Sequence, residues 1–222
     1  YPRHELFLDA RRLQVRCIRE LAKEELETAL SKLNTLVSTA RSKKRAARYQ
    51  KLRGDVYFDS GSYVFARDAY EQLVRNYTNS QWVPYGFYRM ALCSLKLAQW
   101  LDRGTEYIVR ARRTLTHFVK VYPDHQLAEK ARAKLEKARA LEARWNAKIA
   151  RFYLDDGKPT SAAVYLTSIV EDFPRSKQAK WARKELKRIR DAGRMPPGME
   201  LPEEKLSPPE KGGDTGESKK NQ

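Results

Sequence analysis

The residues best suited to chemistry in this chain are His4, His117 and His125, Cys17 and Cys93, and the adjacent acids Asp155 and Asp156. A metal site needs imidazole or thiolate ligands a few residues apart on one element, and neither a His-x-x-x-His nor a Cys-x-x-Cys spacing occurs. His125 falls in the turn after a helix, where solvent is its expected neighbour. Cys17 and Cys93 lie far apart on apolar helical faces. Two buried free thiols are the preferred reading, and their pairing stays open. Neighbouring residues on a helix point apart, so Asp155-Asp156 belongs to the turn before Gly157 rather than to an acid/base couple. No Gly-x-Ser-x-Gly elbow or glycine-rich phosphate loop is present. The expectation is a protein that is not an enzyme, with no metal, no cofactor and no small-molecule substrate.

Binding is the remaining kind of function, and charge shapes it. The 222 residues hold 45 Lys+Arg against 28 Asp+Glu, for a net charge of +17. Two Cys cannot staple a disulfide scaffold, while 12 Tyr, 7 Phe and 4 Trp supply core material. No apolar run approaches the roughly 20 residues that span a bilayer. Residues 194–222 contain five Pro, four Gly and no aromatic residue, and carry a charge of −1. Such a segment buries too little surface to offset its ordering entropy, so 191–222 is expected to be a disordered tail. The whole basic excess therefore rides on residues 1–193.

Those residues read as all-α. Breakers are absent from Arg3 to Arg53 and from Asp124 to Asp156, and helix formers dominate both stretches. Leu26, Leu30, Leu33, Val37 and Ala40 follow helical spacing, as do Leu6, Ala10, Leu13 and Cys17. The two stripes are out of register, so residues 1–45 form one bent helix or two.

An internal repeat organises the rest. Gly54, Tyr57, Gly61, Ala66, Tyr70, Leu73 and Tyr77-Thr78 match Ala150, Tyr153, Gly157, Ala162, Leu166, Ile169 and Phe173-Pro174 step for step. A middle copy runs from Ala91 to Ala111, Leu115, Phe118 and Tyr122-Pro123, with an insertion near Gln99–Glu106. This is the pattern of the 34-residue tetratricopeptide repeat. Its Ala residues (Ala66, Ala111, Ala162) sit where two helices cross too closely for a larger side chain. The expected fold is a tetratricopeptide-repeat α-solenoid of about three repeats over 46–190, plus an N-terminal helical region.

Leu101-Asp102-Arg103-Gly104-Thr105 in the insertion, Tyr122-Pro123-Asp124-His125, the charged helix after it, and Ala150-Arg151-Phe152-Tyr153-Leu154 then follow in an order that resembles the BamD family of outer-membrane assembly factors. The resemblance covers about residues 46–190. It implies a non-catalytic periplasmic lipoprotein at the inner face of the outer membrane, docked on the barrel-type insertase BamA and contacting client segments. The family usually has five repeats, against three found here. No signal peptide or lipobox is visible, since Gln14-Val15-Arg16-Cys17-Ile18-Arg19 is too polar for one. The resemblance implies both in a segment preceding Tyr1.

Repeat arrays of this type bind partners on the face made by the first helix of each pair. Lys51 and Asp55, Tyr88 and Leu92, and Ala147 and Arg151 occupy the positions where some relatives clamp a terminal carboxylate; their charges do not make such a clamp. Tyr49, Tyr85, Tyr88, Trp145 and Arg151 are the groove candidates, although the aromatic ones could equally be core. Two basic faces are candidate docking patches: Arg41, Lys43, Lys44, Arg45, Arg48, Lys51 and Arg53, then Lys180, Arg183, Lys184 and Lys187. Either could meet an anionic membrane surface or an acidic protein. A generic adaptor for acidic peptides or nucleic acid is the alternative. Nucleic acid is disfavoured, because base-stacking aromatics are not interleaved with the cations.

Overall fold

The computed structural model describes residues 25–100, 105–199 and 201–202. The stripe from Leu6 to Cys17, residues 101–104 of the expected insertion and residues 203–222 lie outside them. Among the described residues there are eight α-helices and no strand. They are α1 (Leu26–Ser38), α2 (Lys43–Asp59), α3 (Tyr63–Asn76), α4 (Val83–Trp100), α5 (Thr105–Val121), α6 (Ala128–Asp155), α7 (Pro159–Asp172) and α8 (Ala179–Asp191). The all-α, tetratricopeptide-like reading holds.

The breaker-free N-terminal stretch is nevertheless interrupted. The hydroxyls of Ser38 and Thr39 donate to the Thr35 carbonyl at 3.0 and 2.7 Å, and Ser42 accepts the Arg45 N–H as the cap of α2. Hydroxyl side chains that compete for backbone groups end one helix and start the next without Gly or Pro. The first hairpin of the repeat pattern thus begins at Lys43, three residues before the expected boundary.

Close helix contact requires small residues at the crossings, and Ala66, Ala111 and Ala162 are each fully buried. Gly54 is under the same constraint: a Cβ there would lie 2.5 Å from Cε1 of Tyr70. Gly61 (φ 79°) and Gly157 (φ 68°) turn the two outer hairpins in the left-handed region, where a side chain is strained.

The chain divides into two compact units, Tyr1–Trp145 and Asn146–Gln222. In the first, α1 packs on α2 through Ala29, Leu33, Leu52 and Val56. Ala47, Ala66, Tyr70, Leu73 and Cys93 join α2, α3 and α4. Tyr88, Ala91, Leu115, Phe118, Leu135 and Ala138 bring in α5 and the start of α6. His125 is half-buried rather than solvated: its Nδ1 accepts the Leu127 N–H at 3.1 Å, and its ring stands edge-on to Phe118. One buried acid, Glu142 of α6, receives both Nε and an Nη of Arg112 at 2.6 and 3.2 Å.

In the second unit, Ala147 and Ala150 of α6 pack with Ala162, Leu166, Ile169, Ala182, Leu186 and Ile189. Met195, Met199 and Leu201 lie against this core. The Thr160 hydroxyl donates to the Arg194 carbonyl at 3.2 Å, and that of Thr167 to the Met199 sulfur at 3.5 Å. The expected disordered tail therefore differs in its first part. Two methionines and a leucine among the prolines are enough to hold residues 194–199 and 201–202 on α7 and α8.

Candidate partner-binding face

The first helix of each pair presents its polar side chains at a 34-residue step. From Lys51 and Asp55 on α2, that step leads to Tyr85 and Arg89 on α4. The structure brings all four together. Asp55 is 3% exposed and accepts hydrogen bonds from Lys51 Nζ at 2.6 Å, the Tyr70 hydroxyl at 2.6 Å and the Tyr85 hydroxyl at 2.7 Å. Arg89 donates from Nε to the Tyr70 oxygen at 2.9 Å, and its Nη2 lies 3.7 Å from Asp55 and 3.8 Å from Asp59. Its guanidinium stacks 3.7 Å from the centre of the Phe58 ring. Lys51 stands over the Tyr85 ring at 4.4 Å and the Trp82 ring at 5.2 Å.

A buried carboxylate is tolerated only when it is paired and hydrogen-bonded, and Asp55 is both. Burial and the Asp55 charge together push the hydroxyls of Tyr70 and Tyr85 far above the usual phenol range, so both remain donors. Burial pushes the nearby Cys93 thiol up to about 12, and it is the free cysteine among the described residues. A cationic–aromatic rim above a neutralised carboxylate suits side-chain recognition.

Two positions assigned from sequence need correction. Tyr88 is 8% exposed and packs against Phe118 at 6.3 Å, so it is core and not groove. The helix-face positions of the second repeat are Tyr85 and Arg89, one turn earlier than Tyr88 and Leu92. Tyr85 is half-buried. Tyr49 is half-buried against α1, and Trp145 is half-buried. Arg89, Trp82 and Tyr70 were missed by sequence reasoning; the 34-residue step from Asp55 is the signal that finds Arg89.

The basic faces also shrink. Lys51 is held by Asp55, and Arg53 donates to Asn34 and Gln72 with its Nε buried and unpartnered. Arg183 is half-buried, its Nε likewise unpartnered. Arg45 and Arg48 are half-buried. Arg41, Lys43 and Lys44 are exposed on the first face, and Lys180, Lys184 and Lys187 on the second. Lys43 and Lys44 line a cavity of about 350 Å³ with Asn76, Asn79, Ser80 and Gln81.

In the second unit the matching positions are Ala147 and Arg151 on α6, then Trp181 and Glu185 on α8. Arg151 is exposed, and its guanidinium lies 4.8 Å from the centre of the Trp181 ring. Among the described residues no group of three metal-binding side chains occurs, and no helix is long and apolar enough to cross a membrane.

Paired helices recurring at a 34-residue step define a helical-repeat protein. Residues 9–193 match the YfiO family, described as outer membrane lipoprotein, and the chain belongs to this BamD-like family. No curated protein matches the chain. Membership ties the chain to outer-membrane protein assembly and to protein–protein contacts there.

Proposed function

We propose that the protein is a non-catalytic docking scaffold on the periplasmic side of the outer membrane. In this reading it holds a β-barrel insertase of the BamA type and offers its α2–α4 face to client segments. The family match over residues 9–193 carries the reading. The Lys51–Asp55–Tyr85–Arg89 cluster supports it, because it places cations and aromatic rings on the face where repeat proteins take extended chains. Affinity purification from detergent-solubilised envelopes should recover a β-barrel insertase. Recovery of soluble cytoplasmic proteins alone would sink the proposal.

A second contact, with anionic lipid, is favoured by exposed Arg41, Lys43 and Lys44, at roughly 1 kcal/mol for each cation near an anionic surface. Co-sedimentation with vesicles of anionic against zwitterionic phospholipid tests it, and equal binding to both would remove it. The nucleic-acid reading is weakened by α6, where Glu129 pairs with Arg132 and Glu136 with Arg139, breaking the basic track.

A further inference from the structure

The two units treat one pair of positions oppositely. On α2 and α4 the pair is Asp55 and Arg89, drawn to 3.7 Å beside Lys51. On α6 and α8 the equivalent pair has its charges exchanged, Arg151 and Glu185. The exchanged pair does not close. Glu185 is taken by Arg188, one turn further along α8, at 3.0 Å. Arg151 instead lies over Trp181, and no described carboxylate lies within ion-pairing distance of it. Its neighbour Phe152 is 63% exposed.

From this we infer that Arg151, backed by Trp181, is the acceptor for a carboxylate side chain from a protein partner. A guanidinium stacked on an indole keeps its N–H edges free in one plane, the geometry that takes a carboxylate through two parallel hydrogen bonds. Stacking also holds the long side chain in place, which lowers the ordering entropy lost on binding. In the first unit this role is filled internally, since Asp55 already sits on Lys51 and beside Arg89. The second unit supplies the cation and leaves the acid to the partner. The partner is an acidic protein segment, and the inference rests on the docking reading above while adding where and with what chemistry contact is made.

Calorimetric titration of the full chain with a hexaglutamate peptide tests it. Arg151→Gln should weaken binding at least tenfold, and Arg151→Lys should recover only part of the loss because it removes the planar stack. Lys120→Gln, at an exposed cation of α5 that belongs to neither face, should leave the affinity unchanged. Equal affinity for wild type and Arg151→Gln would overturn the inference. So would loss of binding in the Lys180→Gln/Lys184→Gln/Lys187→Gln triple variant with Arg151 intact, which would assign the peptide to the general basic face of α8. Unchanged peptide binding by Arg151→Gln alongside lost binding to anionic vesicles would assign the residue to lipid and refute the protein partner. Because Arg151 is exposed, its variants should melt as wild type does, keeping affinity separate from folding. A failed titration leaves envelope recovery of the insertase unaffected, so the two readings fail separately.

Discussion

Tyr70 and Leu166 occupy the same place in the first and last hairpins, and the difference between them organises each region. Tyr70 reaches Asp55 and Arg89, so the first hairpin closes around a buried ionic cluster that needs α2, α3 and α4 at once. Leu166 is fully buried among alanines, isoleucines and Leu186, and the last hairpin closes on an apolar core with no buried ionic cluster among its described residues. One backbone pattern thus supports two kinds of core. The polar core specifies its neighbours strictly and is vulnerable to single deletions; the apolar core tolerates change at its rim and leaves Arg151 open.

Deleting the ionic anchor should break this contrast most. Asp55→Ala leaves Lys51, Arg89 and two phenols without their acceptor, and should cost about 3–5 kcal/mol. Arg151→Ala at the matched position should stay within about 0.5 kcal/mol. Native-state hydrogen exchange of α2–α4 against α7–α8 reads both, and equal losses would refute the distinction. Overpacking the shared element comes next. Ala66→Leu and Ala162→Leu should each cost about 1–3 kcal/mol, because both crossings are fully buried whatever the chemistry of the core. A variant with unchanged melting would place that alanine outside the crossing.

Ending the chain after Gly193 removes Met195, Met199 and Leu201 from the last hairpin. It should lower protection of α7 and α8 by about 1–2 kcal/mol and leave α2–α4 untouched. Full retention would return residues 194–202 to the status of a dispensable tail. The mildest effect should come from alkali. Tyr70 and Cys93 hold their protons more tightly in the folded chain than in the unfolded one, so their contribution is whole below about pH 9. It fades as pH climbs toward the folded thiol value of about 12. The last hairpin lacks a thiol and a fully buried phenol among its described residues, so denaturant titrations at pH 8 and 11 should weaken α2–α4 preferentially.

Much of the fold was legible because small residues at helix crossings leave a durable trace. Ala66, Ala111 and Ala162 gave the hairpins, and all three are buried where the pattern required. The face of the second repeat was not legible, and the reason is a swap of volumes. In the first repeat Gly54 is small and Tyr57 large; 34 residues on, Tyr88 is large and Ala91 small. Reading Ala91 as the counterpart of Gly54 shifts the register by one turn. That shift exchanges Arg89 for Leu92 and promotes the core residue Tyr88 to the surface. Tertiary packing conserved the sum of sizes while moving the marker. The ionic cluster was hidden for a related reason: Lys51 is linked to Asp55 by local i,i+4 spacing, but Tyr70, Tyr85 and Arg89 come from two other helices.

The same cluster bears on the order in which the chain emerges on the far side of the membrane it is exported across. When residues up to Asn76 are available, Asp55 has Lys51 and Tyr70 but neither Tyr85 nor Arg89, so the isolated α2–α3 hairpin carries a carboxylate without its α4 donors. Burial becomes favourable once α4 arrives. Three helices, rather than one hairpin, are therefore the smallest piece of this region that vectorial folding can commit to, and a pause in export before Val83 would hold it open.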